Sequence, residues 1–273
     1  MRLSRVVEPG KWSERPEAAD ITAVMRGYDA LMSKVYDFLT CWFMAPLIRD
    51  SHQTLLENIS QSGGTTLLDI GCGTGTLMVM AGRRAPSDLM VGLDVSTGML
   101  ERALRKLEKS GLKNRTELVL GDAEAQPFRG SSFGACTCTG TLRFITNPAL
   151  ALREAMRVLR EGGSLGLREM ASGRGPMVIR HIPLPFKASF VVWRLLPDHW
   201  VEMLLRSAGF DGVTSFRSGM VPQFVIAMGP PVRRYAFFFA SKPSLRVNLP
   251  REQQAIALHI SQGAPARHIS REA

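Results

Sequence analysis

Three glycines at alternate positions, Gly71, Gly73 and Gly75, follow an apolar segment that ends in Asp69. Glycines at this spacing let the backbone turn tightly and approach a ligand closely, and the residues from Thr76 onward can begin a helix. The pattern is typical of a strand that leads into a nucleotide-binding turn. The residues of this turn that we predict to bind a cofactor are Asp69, Gly71, Cys72, Gly73 and Gly75.

The details of the turn disfavour a dinucleotide. The G-x-G-x-x-G pattern of NAD sites would place a glycine at position 76, where this chain has Thr76. Asp69 would also repel a pyrophosphate, whereas an acid at a strand end suits a ligand with a positive centre. S-adenosylmethionine carries an ammonium and a sulfonium beside an adenosine, so the turn predicts this cofactor.

Two further acids end apolar segments downstream. Asp94 ends the segment from Leu89, about twenty residues after the glycines, where a carboxylate can accept both ribose hydroxyls. Asp122 follows the next apolar segment and is placed to accept from the exocyclic amine of adenine. The remaining predicted cofactor-binding residues are Val95, Met99, Ala123, Thr139 and Gly140.

At these residues the chain resembles the class I S-adenosylmethionine-dependent methyltransferases, over roughly residues 65 to 169. The segment from Gly121 through Pro127-Phe128, and the pair Leu142-Arg143, are similar to the ubiquinone/menaquinone C-methyltransferase family (methyltransferase type 11). The quinone enzymes have an asparagine after that arginine, where this chain has Phe144. The resemblance implies transfer of a methyl group from S-adenosyl-L-methionine. The difference at Phe144 bears on the identity of the methyl acceptor more than on that of the cofactor.

Apolar strand patterns alternate with helical patterns along the chain. Such alternation predicts an α/β fold, a doubly wound, Rossmann-like, mostly parallel sheet with right-handed crossovers, and the resemblance implies seven strands. Its ligand would lie beyond the carboxyl ends of the strands, where the acids are placed. The predicted strands are 67–70, 89–94, 117–120, 133–139, 164–167, one after the turn 209–212, and a last strand 235–240. The resemblance implies that the last strand is antiparallel. One predicted helix begins after Gly75, and the other predicted helices span 96–110, 148–160 and 200–208.

Three segments surround the predicted methyltransferase domain, residues 63–240. Residues 1–62 are predicted to be an N-terminal helical lid, because apolar residues recur at helical spacing from residue 18 to 59. Tyr28 and Tyr36, each followed by Asp, resemble the amino-terminal Tyr-Asp of the quinone family, which implies a substrate or lid role. The alternative is a helix packed on the core. Residues 241–273 are predicted to be a mobile basic tail.

The segment 171–197 interrupts the alternation with prolines, bulky apolar residues and bases. It is predicted to be a cap over the substrate that also contacts a membrane surface, because bases between apolar residues are typical of an interfacial segment. The alternative is a plain core helix from Phe190 to Leu196.

Three residues are candidates for catalysis on the acceptor. Arg143 follows the fourth strand, near the expected methyl donor, and could orient a substrate oxyanion; its alternative is a structural ion pair with Glu169. His181 and His199 lie in or beside the cap segment and could accept a proton from the acceptor. For both histidines the alternative is a hydrogen-bonded or exposed imidazole.

Composition limits the partners and the location. The 273 residues carry a formal net charge of +10, which favours anionic lipid or nucleic acid as a partner. RNA is disfavoured because five net positive charges lie after Gly229, where no RNA-binding pattern of interleaved aromatic residues accompanies them. Four cysteines without metal spacing predict reduced thiols and no metal site. Because neither a membrane-spanning apolar segment nor a signal peptide is apparent, the predicted location is cytoplasmic, with peripheral membrane contact.

The sequence therefore predicts methyl transfer from S-adenosylmethionine to a lipophilic small molecule, with a quinol-type ring carbon favoured. An N- or O-methyltransferase for a phospholipid or a soluble metabolite is the alternative enzyme. A non-catalytic subunit that binds S-adenosylmethionine is the alternative from another class.

Overall fold

The structure is a computed structural model that describes residues 45–59, 66–84, 89–170, 177–179, 193–195, 197–218 and 235–244. For residues 45–48, 177–179 and 193–195 it describes the backbone alone. The predicted lid residues Tyr28 and Tyr36 and the candidate His181 lie outside the described residues, as does the tail after Ser244. The lid, the mobility of the tail and the role of the cap therefore stay predictions.

The described helices and strands alternate through most of the chain. The helices are α1 (Ala45–Asn58), α2 (Thr76–Arg84), α3 (Thr97–Lys109), α4 (Pro148–Val158) and α5 (Asp198–Ser207). The strands are β1 (Thr66–Ile70), β2 (Leu89–Asp94), β3 (Thr116–Leu120), β4 (Phe133–Thr139), β5 (Leu159–Met170), β6 (Met177–Ile179), β7 (Trp193–Leu195), β8 (Asp211–Ser218) and β9 (Tyr235–Ser241). Two single-turn 3₁₀ helices span Lys113–Arg115 and Leu142–Phe144.

Seven of the described strands form one sheet in the order β3-β2-β1-β4-β5-β9-β8. Strands β1 to β5 are parallel, and β9 is antiparallel to both β5 and β8. The predicted α/β class with a mostly parallel, seven-stranded sheet is confirmed. The strand order reverses between β1 and β4, which is where open sheets of this type bind ligands.

Helices cover both faces of the sheet, because the central parallel strands are apolar on both sides. On one face, Leu55 of α1 and Leu77 of α2 pack with Leu107 of α3. On the other face, Leu152 of α4 and Leu205 of α5 form the second core. The glycine turn after β1 is thereby held between two rigid layers.

Helix α4 ends at Val158, two residues earlier than predicted, and β5 starts at Leu159 rather than at residue 164. Leu159 is fully buried and pairs with Phe133 of β4, so burial favours the strand over another helical turn. The pairing shifts register before Ser164, and Gly162 adopts a positive φ of 69° within this irregularity. Gly162 and Gly163, which precede the predicted strand 164–167, therefore form a bulge inside the observed strand.

The segment 171–197 contains a short antiparallel hairpin, in which Met177–Ile179 pairs with Trp193–Leu195. The alternative of a core helix from Phe190 to Leu196 is therefore wrong for Trp193–Leu195. Strand β7 approaches the 3₁₀ turn Leu142–Phe144, which follows β4. The hairpin thus lies at the carboxyl end of the sheet, on the side predicted for a cap.

Among the helices that the structure describes, none is both long enough and apolar enough to cross a bilayer.

Candidate active site

The turn between β1 and α2 requires glycine at its first position. Gly71 has a positive φ of 68°, and a Cβ atom there would lie 2.2 Å from Cγ2 of Thr141. Thr141 Oγ1 donates to the Gly71 carbonyl at 3.2 Å, which fixes the turn to the loop after β4. Gly75 also has a positive φ, of 74°, and packs against Ala103 of α3. The glycine turn therefore packs against the loop after β4 on one side and against α3 on the other.

Asp94, at the end of β2, joins the glycine turn to the beginning of α3. Its Oδ2 accepts from the Gly73 N–H at 2.8 Å, and its Oδ1 accepts from the Ser96 N–H at 2.9 Å. Burial raises the pKa of this carboxyl, while the backbone donors, with Ser96 first, oppose the rise by stabilising the charged form. Each carboxylate oxygen keeps further acceptor capacity toward a ligand hydroxyl.

Asp69 is buried inside the sheet and does not line the cleft at the strand ends. Its Oδ1 accepts from Thr137 Oγ1 of the neighbouring strand β4 at 2.8 Å, and its Oδ2 has no hydrogen-bond partner among the described residues. Burial raises the pKa of this carboxyl to about 7, although the Thr137 hydrogen bond acts in the opposite direction. The structure therefore does not place the Asp69 carboxyl in contact with a ligand bound in that cleft.

A cleft of about 140 Å³, which we call the first cleft, opens beyond the carboxyl ends of β1, β2 and β4. The structure brings together nine of the twelve predicted cofactor-binding residues in its lining, namely Gly71, Gly73, Asp94, Val95, Met99, Asp122, Ala123, Thr139 and Gly140. Asp69, Cys72 and Gly75 are outside that lining. Asp122 also binds locally, because its Oδ1 accepts from the Glu124 N–H at 2.9 Å.

Sequence patterns did not predict the remaining lining residues of the first cleft, which are Leu93, Ser96, Gly121, Glu124, Thr141, Phe144 and Ile145. Most of them directly adjoin a predicted residue or follow a strand end by a few positions. That proximity is the signal that could have found them. Phe144 ends the 3₁₀ turn after β4 and Ile145 follows it; no sequence pattern indicated the shape of this turn.

Arg143 forms a buried ion pair with Glu169 of β5, with 3.2 Å between Nε and Oε2. The same Nε donates to the Gly140 carbonyl at 3.1 Å, and Glu169 Oε1 accepts from the Leu142 N–H at 2.9 Å. The ion pair considered as the alternative for Arg143 is therefore present. Arg143 is not among the residues that line the first cleft, although its neighbour Phe144 is.

His199 is exposed at the beginning of α5 and contacts the ring of Trp200 edge to face, with 6.4 Å between the ring centroids. It does not line the first cleft. The adjacent Asp198 accepts from Arg217 Nε at 2.6 Å, which orients it toward β8. The structure thus places His199 as an exposed imidazole rather than with the cofactor-binding residues.

Three of the four cysteines are described, and all are buried free thiols: Cys72, Cys136 and Cys138. Burial raises the pKa of each above its ordinary value. Cys136 and Cys138 belong to the apolar core beside β1 and β5. Neutral, packed thiols of this kind have no nucleophilic role in the first cleft.

Comparison with known families finds a similarity to a methyltransferase domain over the same residues. Residues 68–167 match the model of a family described as "Methyltransferase domain". The match begins in β1 and ends in β5, so it contains the glycine turn and the acids after β2 and β3. The resemblance predicted from those residues is confirmed.

Two similar proteins have names from quinone biosynthesis. A demethylmenaquinone methyltransferase of Roseiflexus castenholzii is 40% identical over 111 residues, which are 41% of this chain and 45% of that protein. A ubiquinone/menaquinone biosynthesis C-methyltransferase UbiE of Roseobacter denitrificans is 29% identical over 161 residues, 59% of this chain and 64% of that protein. The chain thus spans less than two thirds of the length of either relative.

Solved structures share the fold. A 1,6-didemethyltoxoflavin-N1-methyltransferase of Burkholderia thailandensis superposes with a TM-score of 0.60 at 16% identity, covering 89% of this chain and 94% of that chain. The [4+2]-cyclase SpnF also gives a TM-score of 0.60, at 24% identity, covering 71% of this chain and 80% of that chain. Because these identities are low, the likeness concerns the fold alone.

Proposed function

We propose that this chain, whose residues 68–167 form a methyltransferase domain, transfers a methyl group from S-adenosylmethionine to a small-molecule acceptor. The observation that carries the proposal is the first cleft, where the glycine turn, Asp94 and Asp122 meet at the strand-order reversal.

The residues of the first cleft fit S-adenosylmethionine. Gly71 and Gly73 let a ligand approach the backbone, and Asp94 offers carboxylate oxygens to ribose hydroxyls. Met99 and Ile145 provide apolar surface for a purine ring, and Asp122 lies beside them to accept from its amino group. A pyrophosphate, by contrast, would meet the carboxylates of Asp94 and Asp122 without a cationic residue in this lining. The carboxylates and the apolar surface of this lining therefore suit a cationic adenosine derivative.

When bound, S-adenosylmethionine supplies a methyl group already activated by its sulfonium, so the protein needs to align and desolvate the acceptor. The loop after β4 is suited to this task, because Thr139 and Gly140 line the first cleft. Arg143 is held beside them by Glu169 and by the Gly140 carbonyl. In this proposal Arg143, paired with Glu169, orients the acceptor, and His181 accepts a proton from it.

We propose further that the acceptor is lipophilic, with a quinol-type ring carbon as the site of methylation. The names of the two quinone-biosynthesis relatives support this class of acceptor, and so does the pair Leu142-Arg143. Phe144, in place of the usual asparagine, lines the first cleft and adds apolar surface. Two alternatives compete with this proposal. One is N- or O-methylation of a phospholipid or a soluble metabolite, and the other is a non-catalytic role. A single assay distinguishes them.

The assay measures release of S-adenosylhomocysteine with a demethylated quinol, a phospholipid amine, a soluble metabolite extract or RNA as acceptor. We expect release with the quinol and none with RNA. Release only with the soluble extract would replace the lipophilic acceptor. Tight cofactor binding with no release from any acceptor would favour the non-catalytic subunit.

A cytoplasmic location with peripheral membrane contact through 171–197 is part of the same proposal. The bases and bulky apolar residues of that segment support it. Sedimentation with anionic liposomes, compared with neutral ones and repeated in high salt, measures the contact. A chain that stays in the supernatant with every lipid would exclude it.

A further inference from the structure

A second cleft lies on the other side of the glycine turn, between α1, α2 and the carboxyl end of β5. We call it the cationic cleft, because five cationic side chains line it, together with His52: Arg49, Arg83, Arg84, Lys106 and Arg168. Its volume of about 610 Å³ falls within the usual range of small-molecule sites. Among the described residues, no acidic side chain lines it. A lining of this charge suits an anionic ligand.

Arg168 is the deepest cation of this cleft, with 7% of its surface exposed. Its Nη1 donates to Ser51 Oγ of α1 at 3.0 Å, and its guanidinium lies 4.7 Å from the ring centroid of Tyr235. Its Nε has no hydrogen-bond partner in the part of the chain that the structure describes. Its charge reaches the buried carboxyl of Asp69, where it opposes the rise of that pKa. A buried guanidinium with an unused donor is costly unless an anion completes it.

A second buried side chain of the cationic cleft also lacks a partner. His52 of α1 is 5% exposed, and its Nδ1 has no hydrogen-bond partner among the described residues. Burial, followed by the charges of Arg168 and Lys106, lowers the pKa of His52, which keeps its imidazole neutral. An entering anion would offset both charges and give the imidazole a group to bind.

Lys106 of α3 brings a positive charge to the beginning of α2. Its Nζ donates to Thr74 Oγ1 at 2.8 Å and to Thr76 Oγ1 at 2.9 Å. A helix begins with a partial positive charge, so Lys106 and the first turn of α2 present positive charge to the same part of the cleft. Lys106 thus adds to the positive field that Arg168 produces at the floor of the cleft.

We propose that the cationic cleft binds an anionic group, a carboxylate or a phosphate, that is carried by the methyl acceptor. The cleft shares Gly71, Gly73 and Thr139 with the first cleft, so a molecule anchored at Arg168 reaches the place where the cofactor is proposed to bind. This inference rests on the proposed methyl transfer and narrows the lipophilic acceptor to one with an ionised group.

The test measures binding of inorganic diphosphate by calorimetry, with inorganic phosphate and citrate as the other probes. We expect the wild type to bind diphosphate, and Arg168→Gln to weaken binding about tenfold or more, as for loss of a charge-assisted hydrogen bond. Arg168→Lys should restore part of the affinity. Arg153→Gln, which removes an exposed arginine of α4 outside the cleft, should leave affinity unchanged. Tighter binding of inorganic phosphate than of citrate would indicate a phosphate on the acceptor, and the reverse order would indicate a carboxylate.

Because Arg168→Gln removes a buried group, Arg83→Gln on the exposed end of α2 gives a second test, with an expected loss of about threefold for a solvent-screened charge. Diphosphate should still bind when S-adenosylhomocysteine saturates the protein. Mutual exclusion of the two would assign the cleft to the cofactor's own carboxylate and overturn the proposal, as would absence of binding to every probe. Cofactor binding and S-adenosylhomocysteine release are measured separately, so failure of the methyl transfer is distinguished from failure of the anion site.

Discussion

Asp94 is engaged on both carboxylate oxygens by the protein's own backbone, at Gly73 and at Ser96. The carboxylate therefore shapes the glycine turn before any ligand arrives. A ligand with two vicinal hydroxyls would meet oxygens that are already oriented, which reduces the entropy lost on binding. Asp94 is accordingly both a structural and a binding residue in our account.

Asp94→Asn should lower the affinity for S-adenosylhomocysteine by roughly tenfold to a hundredfold, as for loss of 1.5–3 kcal/mol in charge-assisted hydrogen bonds. The amide can accept with one end only, and its NH₂ group would face a backbone N–H. Calorimetry on variant protein that is folded by circular dichroism measures the change. Asp211→Asn, at an exposed acid of β8, is the matched control. A folded Asp94→Asn protein with wild-type affinity would remove Asp94 from the site.

Asp69 should make stability depend on pH in an unusual direction. Burial raises its folded pKa to about 7 from an ordinary value of 3.8. The folded state then keeps a proton that the unfolded chain has released, so this stabilisation is complete below about pH 4 and is lost as pH rises to about 7. Asp69→Asn, neutral throughout, should lack the loss.

Urea unfolding of the ligand-free protein measures this effect. The unfolding free energy of the wild type minus that of Asp69→Asn should fall between about pH 4 and pH 7, by about 1.4 kcal/mol or less for each pH unit, and stay constant above that range. A difference that rises across the same range would mean that Asp69 is ionised in the folded protein.

At the residue scale, the acids after β2 and β3 were predictable because each ends an apolar segment near a glycine turn. The burial of Asp69 was not predictable, since its partner Thr137 belongs to a strand 68 residues away. The exposure of His199 agrees with the exposed imidazole that the sequence offered as the alternative to a catalytic role.

At the scale of elements, the turn between β1 and α2 depends on space as well as on backbone conformation. Gly71 and Gly111 have nearly the same φ, 68° and 69°, but only at Gly71 would a Cβ atom overlap Thr141. Gly111→Ala should cost about 1–2 kcal/mol for the left-handed conformation. Gly71→Ala should cost that amount plus about 1–3 kcal/mol for overpacking.

Chemical unfolding of the two glycine variants side by side measures the difference. Equal losses would show that the loop carrying Thr141 moves away without cost, and that it does not fix the glycine turn. A larger loss at Gly71, accompanied by weaker binding of S-adenosylhomocysteine, is the result that we expect.

Some elements could be predicted closely and others could not. Strands β2 and β4 have the predicted bounds, because turn residues delimit a short apolar segment in each case. The hairpin Met177–Ile179 with Trp193–Leu195 was missed, because its pairing joins short segments that have no clear period. Burial of Leu159 against β4 similarly extended β5 beyond its sequence pattern.

At the scale of the whole molecule, the doubly wound sheet brings the two clefts together at the reversal of strand order. The alternation of strands and helices predicted that reversal and hence the place of the first cleft. The cationic cleft could not be predicted, because Arg49, Arg83 and Arg168 belong to three distant segments. Only the packing of α1 against both α2 and β5 brings them together.

The first cleft, as we propose it, binds S-adenosylmethionine and not a dinucleotide. Calorimetric titration of the wild-type chain with S-adenosylhomocysteine and, in parallel, with NAD measures it most directly, because no acceptor has to be known. We expect saturable binding of S-adenosylhomocysteine with one site per chain, and no heat of binding with NAD. Binding of NAD without binding of S-adenosylhomocysteine would contradict the account.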